Sequence, residues 1–480
     1  MVNSLDINIM ENVVKESVDY INRLKQDDNE FLSYLEKNKN FSNDYEVLIA
    51  LCKQNPEFVR SSYFRRRKWK IIETYILNMK SGKIIQNAEN LVIVGSPYAM
   101  LLYGATGNEY IVDNDDTFRV EKNTIQCYTQ RFDNNKYLAF FRSPFNSKNN
   151  LSYLHNVYNE KLIKYFNLGK QCIAVNMIGT DFQDRNNGSD QDSDSGYTTD
   201  QYDIVEHARL CYINYPTIVN NIPKDKNVYS KTMDDYARVD NNLSNSQLDI
   251  GESSNLAQIA QTYTCNYTDE KYGNYVCILS VLAQVAIDNA KRRFDIDLSN
   301  EIKRIKNDMD IKNNKYPDFW SIIKKDFNKK LLNHDLKCPM NYLYDLNLSE
   351  FRNTTSTLPM SYFFVKFEMK NNIRTCRKVE DLIARYAFKF YESNNNSDNE
   401  YFLLRKDFDD LLKDISKIKI SQNYIGLFSW MIDRAFKILP STIQNKKTIS
   451  SVLNKNKALL LNTLYRINPS NLLKCFSKNC

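Results

Sequence analysis

Three aspartates alternate along one short polar stretch of the sequence. Asp190, Asp192 and Asp194 lie within residues 187–196, a run that contains no aliphatic residue. In an extended or tightly looped segment, side chains at every second position point the same way, so these carboxylates would converge on one point. Carboxylates brought together repel one another unless a cation lies between them. The spacing therefore predicts a site for a hard, oxygen-liganded ion, either Mg²⁺ or Mn²⁺.

Two other interpretations of the acidic run compete with a magnesium site. A solvated surface loop is one, because Asp, Ser, Asn and Gly dominate such loops and alternating acids arise there by chance. A calcium-binding loop is the other, since the run begins with the Asp-x-Asp-x-Asp pattern of that motif. The calcium motif fails at two positions. Gly196 falls at the seventh place rather than the sixth, and Gln201 occupies the twelfth, where a bidentate carboxylate is needed.

Short apolar runs upstream indicate the strands that would position the acidic residues. Residues 173–179 form an apolar run that ends in glycine, which predicts a buried strand leading toward the acids. Residues 138–144 are a second such run, and Arg142-Ser143-Pro144 stops it. The sequence thus predicts that a positively charged side chain, that of Arg142, lies close to the acidic loop.

The Arg-Ser-Pro strand followed by the acidic run resembles the second double-psi β-barrel of the two-barrel RNA polymerases. This superfamily includes multisubunit transcriptases, the cellular RNA-dependent RNA polymerases of RNA silencing, and single-chain phage relatives. Those enzymes carry a strand with Arg-x-Pro and, some tens of residues later, an Asp-x-Asp-Gly-Asp loop. The resemblance implies an α+β fold, in which a double-psi β-barrel is flanked by N- and C-terminal helical regions.

The resemblance also implies roles for the residues that match its motifs. Asp190, Asp192 and Asp194 would hold a catalytic Mg²⁺ or Mn²⁺, and Arg142 would contact the sugar or phosphates of the nucleotide. From the residues alone, a salt bridge from Arg142 to the acidic loop is an equal alternative, because a guanidinium pairs with any suitably placed oxygens.

The likeness extends more weakly over residues 90–320, and it has two departures. Residues 101–104 are similar to a strand that opens the barrel, and residues 285–291 to a later segment of the silencing polymerases. Within the loop, Ser193 stands in place of the family's glycine, and a positive φ costs more for serine than for glycine. The residues before Leu91 are also too few for the lysine-bearing first barrel of these enzymes. A partner chain that carries the first barrel is therefore predicted.

Composition is that of an ordinary globular protein. The 480 residues allow two to four domains, and 42% are hydrophobic and 26% charged. Neither a bilayer-spanning apolar run nor a secretory signal is visible, which predicts a cytoplasmic protein without a membrane partner. Ten cysteines without Cys-x-x-Cys spacing and three dispersed histidines form no zinc framework, so the cysteines are predicted to be reduced core residues.

Basic residues gather at two places that would suit phosphate groups. The first run also contains Trp69, a pairing that favours backbone contacts together with base stacking. The second ends a helical stretch that the resemblance would place across the active-site cleft. A solvated helix face and an ordinary core helix are the competing interpretations. The predicted nucleic-acid-binding residues are Arg65, Arg66, Arg67, Lys68, Lys291, Arg292 and Arg293.

Periodicity divides the chain into four parts. Residues 1–90 are predicted to be a helical lead-in, 91–222 the barrel domain with its metal loop, 223–252 a polar, loop-rich connector, and 253–480 a mostly helical region. Between residues 91 and 178, helical spacing is limited to residues 151–168, and after the acidic run residues 202–210 are also predicted to form a helix. Strands are predicted at residues 92–94, 101–104, 110–112, 124–129, 137–141 and 172–178.

These patterns together favour a nucleotidyltransferase that makes RNA on a template, or the metal-bearing part of a split polymerase. Its partners would be template, nascent RNA and nucleoside triphosphates. An alternative is a catalytically inactive nucleic-acid-binding or assembly protein derived from such an enzyme. A structural protein with a merely solvated acidic loop is a further alternative. If the first barrel is supplied by another chain, an apolar or basic face near residues 91–145 should lack a covering.

Overall fold

A computed structural model describes residues 2–226, 228, 230–289, 294–324, 326–348, 356–393, 399–420, 424–436 and 456–478. Two compact units are built from discontinuous segments of the chain. One unit comprises Met1–Val18 and Leu77–Asn347, and the other Asp19–Ile76 and Leu348–Cys480. Among the described residues, all β-strands lie in the first unit, and the elements of the second unit are helices.

Seven strands form the sheet of the first unit. Their order is β2-β3-β5-β4-β7-β1-β6, and an additional β3–β6 pairing closes β1 and β3–β7 into a six-stranded barrel. This closure confirms the predicted double-psi barrel, and the α+β fold class with it. The strands are β1 (Ala88–Val94), β2 (Val120–Glu121), β3 (Thr124–Tyr128), β4 (Lys136–Arg142), β5 (Ser152–Asn156), β6 (Cys172–Val175) and β7 (Ser195–Thr199).

The barrel contains both parallel and antiparallel strand pairs, and five of its six pairs join strands that are not consecutive in the sequence. β1 pairs in parallel with β6 in the register Ile93 to Ile173, and β3 pairs in parallel with β5 in the register Gln126 to His155. The β3–β6, β4–β5, β4–β7 and β1–β7 pairs are antiparallel. Closure leaves these short strands without an open edge, the usual solution for strands of four to seven residues.

The barrel interior is filled by aliphatic and aromatic side chains from all around the sheet. Alternation along each strand directs them inward, as in β1, where Leu91 and Ile93 are buried between more exposed neighbours. The whole of β3 is buried on both of its faces. Core members are Leu91, Ile93, Ile125, Cys127, Phe132, Leu138, Phe140, Leu154, Ile173, Val175 and Phe182.

Helices precede, interrupt and follow the barrel in the sequence, as the fold prediction required. Those that begin before residue 347 are α1 (Met10–Gln26), α2 (Asp28–Asn38), α3 (Tyr45–Gln54), α4 (Ser62–Lys80), α5 (Pro97–Thr106), α6 (Glu109–Asp113), α7 (Glu160–Tyr165), α8 (Phe182–Arg185), α9 (Tyr202–Asn214), α10 (Met233–Thr264), α11 (Lys271–Asp288), α12 (Leu298–Asp308), α13 (Ile311–Asn314), α14 (Trp320–Ile323) and α15 (Pro339–Asp345). The later ones are α16 (Ile373–Ser393), α17 (Asn399–Ser416), α18 (Tyr424–Phe436), α19 (Lys457–Ile467) and α20 (Pro469–Lys474).

Several local predictions were wrong, each for a physical reason. Residues 101–104 and 110–112 belong to α5 and α6, because a short apolar run carries no periodicity that separates a strand from a helix. Residues 151–168 hold β5 as well as α7. The supposed loop-rich connector contains the first half of α10, which Thr232 caps by accepting a hydrogen bond from the Asp235 amide.

The described residues bear on two predictions, one about membrane-spanning segments and one about the cysteines. No helix in the described part of the chain is long and apolar enough to cross a membrane. Nine cysteines are described and all are free thiols, of which Cys265 is exposed and the remainder are buried or half-buried.

Candidate active site

The acidic run forms the loop between α8 and β7, at one end of the barrel. β7 lies between β1 and β4, so its first residues emerge beside both strands. The backbone amide of Ile93 in β1 donates to the carbonyl of Asp194 at 2.8 Å, which ties the end of the loop to the sheet. The amide of Gly95 donates to Gln191 Oε1 at 3.2 Å. The loop is thus held against the end of β1 at two points.

Backbone conformation in the loop is set by residues in the left-handed region. Asn187 and Gly188 have φ values of 58° and 63°, and Ser193 has a φ of 96°. Ser193 therefore adopts a positive φ, which serine reaches at a greater cost than glycine does. The loop thus turns at a residue that is not glycine.

Arg142 at the end of β4 is the cation that the structure brings to the loop. Its Nη2 donates to Asp194 Oδ1 at 2.8 Å, and its Nη1 donates to the Asn187 carbonyl at 3.3 Å. The other carboxylate oxygen of Asp194 accepts from the Asp190 amide at 2.7 Å. The salt bridge weighed as an alternative role for Arg142 is therefore present.

A network of buried amides and hydroxyls, which the sequence did not reveal, holds the Asn187 end of the acidic loop. Asn187 donates to the Pro144 carbonyl at 2.9 Å and accepts from Asn150 at 3.0 Å. Asn150 also accepts a hydrogen bond from Ser280 of α11 at 2.8 Å. Asn150 and Asn187 are 2% and 8% exposed, so these bonds satisfy amides that would otherwise be buried without partners. Isolated asparagines carry no spacing signal by which sequence reasoning could find them.

Arg185 at the end of α8 anchors the segment that enters the loop. Its buried guanidinium donates to the carbonyls of Asn149, Leu151 and Tyr215 at 3.1 to 3.3 Å, and its Nε donates to Asp181. Burial alone would raise the pKa of Asp181, but hydrogen bonding from Thr217 and the charge of Arg185 outweigh it and hold that pKa below its usual range. Arg185 thus ties the base of the loop to three backbone carbonyls and one carboxylate.

Helix α11 lies next to the acidic loop. A Cβ built at Gly188 would lie 2.9 Å from Gln284 Nε2, so the end of this α11 side chain reaches the loop. For α11, the sequence leaves two interpretations open: a helix that crosses the active-site cleft, or an ordinary core helix. Its buried residues, including Leu279, Leu282 and Ala286, show that one face of it packs in the core of the first unit.

The donor chemistry of the loop fits a hard cation, although the structure shows no preformed cage. Asp190 and Asp192 are exposed, Asp194 is half-buried, and all three supply oxygen only. Ser189 Oγ, immediately before them, is buried without a hydrogen-bond partner. Among the described residues, no three His, Cys, Asp or Glu side chains are grouped to hold a metal ion. The convergence of the three carboxylates stays a prediction.

The first predicted nucleic-acid-binding run lies on α4, within the helical unit. Arg65 and Lys68 both bond Asp28, at 3.1 and 2.7 Å, and Lys68 is wholly buried. Arg67 donates through Nε to Asp44 at 2.8 Å. Arg66 is exposed. Three of these four side chains thus serve ion pairs inside their own unit.

The second predicted run, Lys291, Arg292 and Arg293, lies outside the described residues. It follows α11, which ends at Asp288. Its assignment to nucleic-acid binding stays a prediction.

Comparison with known proteins supports the fold. No family model matches the chain, and no curated protein matches its sequence. Among solved structures, it is similar to the RNA dependent RNA polymerase QDE-1 from Thielavia terrestris, with a TM-score of 0.52 and 12% sequence identity. The match covers 98% of this chain and 54% of that one, so the chain spans about half the length of the polymerase. The closed six-stranded barrel and this likeness show a double-psi β-barrel fold.

Proposed function

We propose that this chain is the metal-bearing part of a nucleotidyltransferase that synthesises RNA on a template. The observation that carries the proposal is the junction of Arg142 and Asp194, which lie 2.8 Å apart although 52 residues separate them. The Arg-x-Pro strand and the acidic loop meet at one end of the barrel. Each feature alone is weak, but their coincidence matches the order in the resembled polymerases.

The residues of the loop would act as ligands and Arg142 as a charge that positions them. Asp190, Asp192 and Asp194 would hold Mg²⁺ or Mn²⁺. The bound ion would supply Lewis-acid stabilisation of the attacking and leaving oxygens in nucleotidyl transfer. Arg142 fixes one oxygen of Asp194, which orients that carboxylate before an ion arrives. A guanidinium in this place also has further donors to offer the sugar or phosphates of a nucleotide.

A partner chain with the first barrel remains part of the proposal. The chain spans about half the length of the similar polymerase, and Met100, Leu101 and Tyr103 of the helix that follows β1 are exposed. Template, nascent RNA and nucleoside triphosphates would be bound by the assembled pair.

An inactive nucleic-acid-binding or assembly protein derived from a polymerase is the second candidate. It is favoured by the same ion pair, because Arg142 supplies Asp194 with a positive charge in the absence of any metal. An acidic loop that is neutralised by its own arginine could serve as a structural element alone.

Direct titration of the protein with Mn²⁺ in a calorimeter separates the two candidates. Asp192→Asn removes one exposed carboxylate and keeps an oxygen, so Mn²⁺ affinity should fall about tenfold or more without loss of the fold. Asp184→Asn, at an exposed position on α8 in the same segment, is the matched control and should leave the affinity unchanged. Equally weak binding by wild type and Asp192→Asn would mean that the acidic run is a solvated loop.

A further inference from the structure

Helix α5 is apolar on every side, yet the structure leaves almost all of it exposed. Its ten residues carry no charge, and Ala99 alone among them is buried. Met100, Leu101 and Tyr103 are 71%, 59% and 50% exposed. A helix that is hydrophobic all round is normally enclosed by protein, so this one lacks its cover in the isolated chain.

The apolar surface continues onto the short helix that follows. α6 packs against α5 and exposes Tyr110 at 75% and Ile111 at 39%. On its other side, α5 is held to α7, where Tyr98 and Tyr165 stack with their ring centroids 6.3 Å apart. Two helices fixed in this way present one continuous patch, which is defined here as the α5–α6 surface.

Acidic residues border the α5–α6 surface. Residues 97–116 contain four acids and neither lysine nor arginine. Lys161 of α7 pairs with two of them, Asp115 and Asp116. Glu109 and Asp113 are exposed along α6, so this edge of the patch is negative.

The sign of this border decides which occupant fits. Anionic lipid and the phosphates of nucleic acid would both be repelled by the edge that carries Glu109 and Asp113. A second copy docked through the same surface would bring the same acids, and the lysine that lies over Tyr98, Lys161, is already paired with Asp115 and Asp116. A different polypeptide, with an apolar face bordered by lysine or arginine, would satisfy both the exposed rings and the acids.

We propose that the α5–α6 surface is the docking site of a separate protein that presents such an apolar face with a basic edge. α5 begins directly after β1, whose end is bonded to the acidic loop through Gly95 and Gln191. A partner bound here would therefore adjoin the candidate active site. That this partner is the chain with the first barrel rests on the proposed function, whereas the docking surface itself does not.

Photo-crosslinking followed by titration tests the proposal. A benzophenone side chain at position 101 of the purified full chain should crosslink to a specific protein in a native extract. That protein is identified, purified and titrated against the chain by calorimetry. Leu101→Lys should weaken its binding at least tenfold, and Glu109→Lys should weaken it severalfold with a reduced salt dependence.

Leu248→Lys is the matched control, since Leu248 on α10 is 69% exposed but lies outside the surface. It should leave the affinity unchanged. Three results would overturn the proposal: a wild-type dimer that Leu101→Lys dissociates, flotation with phosphatidylcholine and phosphatidylserine vesicles, or no crosslink at position 101 above that at position 248. A partner that binds at Leu101 without supporting nucleotide incorporation would contradict the polymerase function and leave the docking surface intact.

Discussion

The ion pair of Arg142 and Asp194 fits both candidate functions. It can orient a metal-binding carboxylate, or it can neutralise the acidic loop by itself. Both side chains are less than a fifth exposed, so their charge-assisted bond is screened less than a surface pair would be. The bond orients one carboxylate oxygen toward β4, while the amide of Asp190 engages the other. The pair therefore fixes the position of Asp194 at the end of the loop.

The basic run on α4 illustrates the opposite case, in which residues chosen for their charge are used for packing. Asp44 is 3% exposed and also accepts a hydrogen bond from Tyr63. Arg67 bonds this carboxylate, so the guanidinium compensates a charge that is out of water.

Replacing Arg67 by alanine should therefore destabilise the protein rather than affect nucleic acid. Asp44 would keep a buried charge without its cation, which costs about 3–5 kcal/mol. Arg66→Ala, at the exposed neighbouring position, should change the free energy of unfolding by less than about 0.5 kcal/mol. Urea unfolding of both variants measures these values. An Arg67→Ala protein that stays fully stable but loses affinity for single-stranded RNA would contradict this expectation and favour the nucleic-acid-binding role.

Among the elements of the barrel, strand β7 packs closely against β4 at Gly196. Gly196 in β7 faces the ring of Phe140 in β4, and a Cβ built there would lie 2.0 Å from Phe140 Cζ. Phe140 is itself a fully buried member of the barrel core. The two strands can pair at this register only because position 196 has no side chain.

Gly196→Ala should consequently destabilise the barrel by about 2–3 kcal/mol, because the ring of Phe140 must move within a packed core. Gly104→Ala on α5 is the control, since no atom lies within 4 Å of the added methyl group. It should be neutral or stabilise the helix by up to about 1 kcal/mol. Thermal unfolding of the two variants gives the comparison. Equal unfolding temperatures would show that the Phe140 ring can shift at no cost.

At the scale of the whole molecule, the chain combines one barrel with many helices and spans about half the length of the polymerase that it resembles in fold. Its exposed apolar surface at α5 and α6 is consistent with the uncovered face predicted near residues 91–145. This exposed surface is the feature on which the docking proposal rests.

If the proposed function is right, the purified chain should bind Mn²⁺ but incorporate no nucleotide by itself. Primer extension should appear when a partner with the first barrel is added, and Asp192→Asn should abolish it. Assays with and without the partner, on matched RNA and DNA templates, measure this. Extension by the chain alone would contradict the need for a partner, whereas silence of the assembled pair would favour the inactive, assembly role.

The sequence by itself determined the features that depend on neighbouring residues. The inward alternation of β1, the Arg-x-Pro end of β4 and the alternating acids of the loop are local patterns, and the helical period of α4 runs to its end before Gly82. The order of the Arg-x-Pro strand and the acidic loop was enough to suggest a double-psi barrel. Apolar run length was not enough to separate α5 from a strand, because a short uniformly apolar segment has no period.

Features that join distant parts of the chain became visible in the folded protein. Closure of the barrel depends on the β3–β6 pairing, and the support of the loop depends on Asn150 reaching both Asn187 and Ser280. The partners of the α4 cations are carboxylates 23 to 40 residues away. Such contacts are set by the path of the backbone in space, and single polar residues leave no periodic trace of them in the sequence.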